Sequence, residues 1–243
     1  MSEFTFEQQP KSLPVINFDS LTGQDSSSQT SKRHGYLLPN TVRALVCGLS
    51  NCGKTNAVLA LITHPNGLRF ENVYVYCKSL QQPKYQFLEK LLKRVPGVGY
   101  FPFHSHEVVI PPNKARKNFL MLFDDIATSN QNIIREYFCM GRHQLVDCFY
   151  LCQTYTRIPK HLVRDNANFL ILFKQDDMNL RHIYEDHVNT DMSFSDFRQL
   201  CASCWQEGSR GFVCICKDDD VDQGRYRKGF DCFIKPISNE QTR

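Results

Sequence analysis

Along the chain, apolar positions fall into short continuous runs separated by stretches of helical period. Val42–Cys47, Asn72–Cys77, Phe119–Phe123, Val146–Cys152 and Asn168–Phe173 are runs of β-branched, aromatic and aliphatic residues of strand length, apolar at nearly every position. A strand that is apolar on both faces is buried on both faces, which is the mark of a parallel sheet covered by helices. Between these runs the period changes. Thr55–Ile62, Lys84–Arg94, Asn132–Met140, Met178–His187 and Phe194–Cys204 place apolar residues at helical spacing. Gly211–Cys216 predicts a further strand, and Asp231–Ile234 a short last one. The alternation predicts an α/β fold with a central, mainly parallel sheet flanked by helices. No internal repeat is present.

The first 38 residues differ. Gln24–Lys32 reads QDSSSQTSK, polar and without an apolar face, so residues 1–38 are expected to form a flexible arm. Its apolar islands, Phe4, Phe6 and Val15–Phe18, have the form of docking peptides. A core over residues 39–216 and a looser, more polar C-terminal extension over 217–243 complete the expected organisation.

Composition narrows the class. The 243 residues are 42% hydrophobic, with mean hydropathy −0.40, and no apolar run reaches membrane-spanning length. The start, MSEFTFEQQP, lacks the basic-then-apolar order of a secretory signal. Eleven cysteines are an odd number, and Cys47, Cys77, Cys148, Cys152, Cys214 and Cys216 sit inside apolar runs. They read as buried free thiols in a reducing compartment, not as a disulfide framework. Cys201-x-x-Cys204 with Cys214-x-Cys216 offers four thiolates for zinc, although the second spacing departs from the usual knuckle and fits packed thiols better.

The chemistry is concentrated in Gly48-Leu49-Ser50-Asn51-Cys52-Gly53-Lys54-Thr55, which matches G-x-x-x-x-G-K-[ST] without departure, between a predicted strand and a predicted helix. The glycines let the backbone wrap so that successive amides converge on a phosphate. Residues Gly48 through Asn56 are therefore the candidate nucleotide contacts, with Lys54 neutralising phosphate oxygens and the Thr55 hydroxyl a magnesium ligand. Leu120-Met-Leu-Phe-Asp124-Asp125 places two carboxylates at the end of a buried strand, expected to lie next to the P-loop strand. Asp124 is the candidate to hold magnesium and Asp125 the candidate general base. Gln153, after Val146–Cys152, is placed to orient a water. Phosphoryl transfer also calls for a mobile cation, for which Arg142, Arg157 and Arg164 are candidates, Arg142 and Arg164 being favoured. ATP and Mg2+ are the implied substrate and cofactor.

Together GLSNCGKT, LMLFDD, Gly141-Arg142-His143, YLCQTYTRIPKHLVRDN and FLILFKQ resemble the genome-packaging ATPases of the FtsK–HerA superfamily. The similarity is to the poxvirus-like type of large DNA viruses and of Polinton- or adintovirus-like elements. The resemblance runs from about Arg43 to about Cys216. It implies a RecA-like core with the P-loop strand next to the Walker B strand, and a homo-oligomeric ring, hexamer or pentamer, that pumps double-stranded DNA into a preformed capsid. It makes Asp124 the Walker B acid, Asp125 the catalytic acid and Gln153 the sensor. A capsid or capsid-vertex protein would be a partner, with no membrane span. The host cytoplasm or nucleus, or the virion, would be the site of action, and the chain would not be secreted. Superfamily members commonly carry glutamate as the catalytic acid; aspartate stands at 125.

Charge fits an anionic polymer locally. The chain's net charge is +4, whereas Gln81–Leu120 alone carries seven lysines and arginines against two glutamates. Arg157, Lys160, His161 and Arg164 form a second basic cluster, and either could grip phosphates without reading sequence. The alternative for Lys84–Arg94 is a solvated helix face, and Asp218–Asp220 reads as a solvated turn. Two other functions remain: a small-molecule P-loop kinase, which needs an arginine-rich lid, and a DNA-translocating helicase or pump not tied to a capsid.

Overall fold

The computed structural model describes residues 32–105, 109–126, 131–144, 146–206 and 210–235, with the side chains of 141–144 outside that description. The compact unit that carries the sheet begins at Arg33. It therefore includes the end of the segment read from sequence as an arm. His34 and Leu38 are buried in it.

Among the described residues nine strands form a single sheet: β1 (Arg43–Cys47), β2 (Asn72–Cys77), β3 (Gly99–Phe103), β4 (Phe119–Asp124), β5 (Asp147–Cys152), β6 (Phe169–Phe173), β7 (Phe212–Cys216), β8 (Tyr226–Lys228) and β9 (Cys232–Phe233). Their order is β3-β2-β4-β5-β1-β6-β7-β8-β9. The pairings from β3 through β6 are parallel, and those from β6 through β9 antiparallel. Every residue of β2, β5 and β6 is buried, as their unbroken apolar sequences require.

Among the described residues, five helices cover the two faces. On one side α1 (Lys54–Thr63) and α2 (Pro83–Leu92) pack Val58, Leu61, Tyr85 and Leu88 against Val46, Val75, Leu122 and Phe149. On the other, α3 (Asn132–Gln144), α4 (Asp177–His187) and α5 (Phe194–Trp205) pack Ile134, Phe138, Leu180 and Phe197 against Leu45, Met121, Tyr150 and Leu170. Alternate residues of one strand thus serve different layers. Each fully buried aliphatic or aromatic side chain contributes about 1.5–3 kcal/mol of transfer free energy. Helix starts are fixed locally. The Asp176 carboxylate accepts from the Asn179 amide at 2.7 Å to cap α4, and the Ser193 hydroxyl accepts from the Asp196 amide at 3.2 Å to cap α5.

The sheet departs from the sequence reading in three ways. β5 lies between β1 and β4, so the P-loop strand is not adjacent to the strand ending in Asp124-Asp125. The strand that carries Gln153 at its tip takes the middle place because Cys148–Cys152 pairs with Arg43–Cys47 while Asp147–Leu151 pairs with Leu120–Asp124. β3 and β8 have no counterpart in the apolar pattern. β3 reads GYFPF, and Pro102 is tolerated because β3 is the sheet edge. β8 reads YRK, with Arg227 only 2% exposed. The Arg227 guanidinium donates to the Leu37 carbonyl at 2.5 Å and pairs with Asp219 at 2.5 Å, tying the 226–233 hairpin to the start of the unit. Residues 226–233 accordingly continue the core sheet beyond the boundary expected at 216. Asp219 is an ion-pair partner and Asp218 accepts from Asn168 at 2.7 Å, so this aspartate run is not simply a solvated turn.

Candidate functional site: a phosphate loop and two carboxylates at the sheet edge

Parallel strands end together, and their carboxyl edges build the site. Cys47 on β1 is in register with Cys152 on β5, and Asp124 on β4 with Leu151 on β5 and Cys77 on β2. The P-loop, the Asp124-Asp125 pair and Gln153 therefore leave the sheet at one level. They surround a cavity of about 430 Å³ lined by Asn51, Gly53, Lys54, Thr55, Asp124, Asp125, Gln153, Thr154 and Arg157, among others.

The loop's shape follows from its sequence. Gly53 takes φ 112° at the start of α1, a left-handed conformation natural to glycine, and Asn51 takes φ 63°. Gly48 is needed for space: a β-carbon there would stand 2.6 Å from the Phe173 β-carbon and 2.7 Å from the Cys52 sulfur. Lys54 Nζ donates to the carbonyls of Gly48 at 2.6 Å and Leu49 at 2.8 Å, which holds its ammonium across the loop. Leu49, Ser50 and Asn56 are exposed beside it. Burial raises the Cys52 thiol against the lowering field of Lys54, so this loop cysteine is no poised nucleophile.

Asp124 is half-buried and accepts a hydrogen bond from the Tyr85 hydroxyl of α2. Burial raises its pKa, while the Tyr85 bond and the Lys54 charge oppose that rise. Asp125 is exposed in the same cavity and adopts φ 54°. A left-handed aspartate is uncommon, and it turns the chain so that adjacent carboxylates enter one cavity. Thr55 and Asp124 supply the hydroxyl and carboxylate oxygens that a hard divalent cation takes, and both line the cavity, so the residues present fit magnesium. Asp125 and Gln153 can hold and orient a water, and the loop with Lys54 can hold phosphate oxygens.

The arginines separate. Arg157 lines the cavity. Arg164 does not: its Nη1 is 2.7 Å from Asp186 Oδ2 and its guanidinium lies 5.0 Å over the Tyr155 ring. Within this chain Arg164 is thus held by Asp186, a partner that the local sequence did not reveal. Arg142 lies on α3, and its side chain falls outside the described residues. Zinc is excluded for the four cysteines by topology. Cys201 and Cys204 pack on one face of the sheet, and Cys214 and Cys216 on the other. Gln82 and Lys84, at the start of α2, also line the cavity. No local pattern marks them, because only the pairing of β2 with β4 brings α2 over Asp124.

Residues 105–220, a little under half of the chain, match the family described as Poxvirus A32 protein. Over that segment the chain is A32-like. The A32-like segment contains Asp124, Asp125, Gln153 and Arg157, and the P-loop precedes it. Among solved structures, the genome packaging NTPase B204 from Sulfolobus turreted icosahedral virus 2, in complex with sulfate, matches with TM-score 0.51 at 12% identity. That match covers 82% of this chain and 98% of B204. The DNA-packaging ATPase B204 from Sulfolobus turreted icosahedral virus matches with TM-score 0.50 at 13% identity, over 80% of this chain and 97% of that one. The fold is thus that of a P-loop NTPase, with a mainly parallel sheet between helices. A comparison with curated protein sequences gives no match. Among the described residues, no helix is long and apolar enough to cross a membrane.

Proposed function

We propose that this chain is a viral DNA-packaging ATPase, which hydrolyses ATP to drive double-stranded DNA into a preformed capsid. The observation that carries the reading is the convergence of Lys54, Thr55, Asp124, Asp125 and Gln153 on one cavity at the carboxyl edge of a parallel sheet. The A32-like segment and the B204-like fold support it.

In this reading the loop amides and Lys54 bind the phosphates, and Thr55 and Asp124 hold magnesium, which neutralises charge on the phosphate oxygens when bound. Asp125 accepts the proton of the attacking water, and Gln153 fixes that water's orientation. Arg157 approaches the nucleotide within the subunit, while Arg142 is the candidate to act from a neighbouring copy. A ring of six or five copies acts at a capsid or capsid-vertex protein, in the host cytoplasm or nucleus or on the virion. The basic stretch of residues 81–120, apart from Lys84 in the nucleotide cavity, is the candidate DNA-facing surface.

Turnover of ATP with and without long double-stranded DNA tests this. DNA stimulation that rises steeply with protein concentration, and that is abolished in Lys54→Ala, is the expected result. ADP formation that requires a nucleoside monophosphate would instead make the chain a small-molecule kinase.

A further inference from the structure

We propose that Lys84 is a second cation for the terminal phosphate of the nucleotide, delivered within the same subunit and positioned by its neighbour Tyr85. The inference rests on the ATPase reading and adds to it a residue that no sequence motif marks.

Three observations carry it. First, α2 is anchored to the carboxylate pair. The Tyr85 hydroxyl donates to Asp124 Oδ2, and the Tyr85 ring is 1% exposed among the apolar residues beneath α1 and α2. One side chain thus ties the first turn of α2 to the residue that would hold magnesium. Second, Lys84 is half-buried and lines the same cavity as Lys54, Thr55 and Asp125, and its charge reaches Cys52 inside the phosphate loop. Third, this ammonium stands in a cavity that also holds the Asp124 and Asp125 carboxylates but is not bound by either. α2 has no acidic residue in its first turn. Lys93, just past the end of the same helix, pairs with Glu89 at 2.6 Å, whereas among the described residues no carboxylate ion-pairs with Lys84. The helix starts at Pro83, so its partial positive end and the Lys84 ammonium add at one wall of an anion-binding cavity.

The chemistry needs such a group. Charge on the terminal phosphoryl oxygens is stabilised by preorganised cations approaching from several elements. Lys54 comes from the phosphate loop that follows β1, and Lys84 from the helix that follows β2, on the far side of β4 and β5 in the sheet. Because Tyr85 couples Lys84 to Asp124, the lysine is placed when the carboxylate is placed. Lys84 is therefore assigned a catalytic role and Tyr85 a positioning role.

The test compares Lys84→Ala, Lys84→Arg and Tyr85→Phe in the full chain. Two readouts are followed: ATP turnover, and equilibrium affinity for ADP against a non-hydrolysable ATP analogue. Lys84→Ala should lower turnover about a hundredfold. It should weaken the ATP analogue about tenfold and leave ADP affinity unchanged, since the lost contact is to the terminal phosphate. Lys84→Arg should recover part of both and serves as the folding control. Tyr85→Phe keeps the ring and removes the donor; it should raise the magnesium concentration needed for half-maximal turnover without changing ADP affinity. Lys84→Ala subunits mixed with Lys54→Ala subunits should regain no activity, and rescue in that mixture would overturn delivery within the subunit. Wild-type turnover by Lys84→Ala, with an unchanged ratio of analogue to ADP affinity, would overturn the proposal altogether. Wild-type protein that bound nucleotide without hydrolysing it would overturn the ATPase reading, and the affinity ratio would still decide Lys84.

Discussion

The sulfurs of Cys47 and Cys152 lie 3.1 Å apart, in register on β1 and β5, one residue before Gly48 of the phosphate loop and one before Gln153. The strands that carry the phosphate loop and Gln153 therefore meet through two small thiols, of which Cys152 lines the cavity, and burial drives the Cys47 thiol well above its ordinary pKa. Larger side chains at this contact have no free space. Cys152→Leu should cost about 1–3 kcal/mol of stability through overpacking. It should also weaken nucleotide binding, because β1 and β5 carry the loop and the sensor residue. Denaturant midpoints and nucleotide titrations on the same variant check both effects.

Asp125 is the next test. Its φ of 54° restricts what can replace it without backbone strain, and asparagine is among the few residues that accept the left-handed region readily. Asp125→Asn therefore removes the charge and leaves the turn. Nucleotide affinity should stay near wild type while turnover falls by about 10²–10⁴, the range for loss of a general base. Single-turnover hydrolysis beside equilibrium binding reads the two effects separately, and normal turnover would remove Asp125 from the base role.

The elements that build this site divide by how local their signals are. GLSNCGKT and LMLFDD were legible because each encodes its own geometry: glycine for a tight loop, an apolar run for a strand, acids at its end. The buried strands β1, β2, β4, β5 and β6 were legible for the same reason. Strand order was not, since β5 reaches its place through pairings with residues far away in the chain. Lys84 and Tyr85 became site residues only through that order. Arg164 looked available because Asp186, its partner, lies 22 residues further on in a different helix. β3 and β8 were missed because a proline and a buried arginine contradict strand propensity, and each is tolerated by a tertiary arrangement: an open edge for Pro102, a cage of carbonyls and Asp219 for Arg227.

At the opposite end of β5, Asp147 is fully buried and receives three donors. All three hydrogen bonds reach Oδ1: Arg33 Nη1 donates at 3.2 Å, His34 Nε2 lies at 3.2 Å and the Val42 amide donates at 2.8 Å, while Arg33 Nη2 ion-pairs with Oδ2 at 3.0 Å. His34 Nδ1 accepts from the Arg69 amide at 3.0 Å, so its Nε2 carries the hydrogen given to Asp147. The cluster fastens residues 33–42 to the sheet. Asp147→Ala would leave the Val42 amide and His34 Nε2–H without an acceptor in a buried place, and would remove one of the two acceptors of the Arg33 guanidinium, the other being Asn118. A loss of about 3–5 kcal/mol is expected, the range for breaking a buried ion pair from one side. Chemical denaturation checks it, and Arg33→Ala, at the more exposed partner, should cost less.

His187 makes stability depend on pH. Its ring is 5% exposed, Nε2 lies 2.7 Å from the Tyr155 hydroxyl, and Nδ1 has no hydrogen-bond partner among the described residues. Tyr155 lies 2.9 Å from Asp186 Oδ2, an acceptor only, so its O–H points there and its oxygen accepts from His187 Nε2–H. That bond is available to the ring in either protonation state, so it is burial that holds the ring neutral. Burial lowers its pKa to about 3, helped by the charges of Lys217, Arg164 and Arg225 and opposed by Asp186. An unfolded histidine takes a proton near pH 6.5, whereas the folded one does not until about pH 3. Between those values the unfolded state binds more protons, so stability falls as pH falls. His187 should therefore contribute a loss of up to roughly 2 kcal/mol between pH 7 and pH 5. His187→Gln, whose amide can still donate to Tyr155 but does not titrate, should flatten that part of the profile, and an unchanged slope between pH 7 and pH 5 would show that His187 does not drive it.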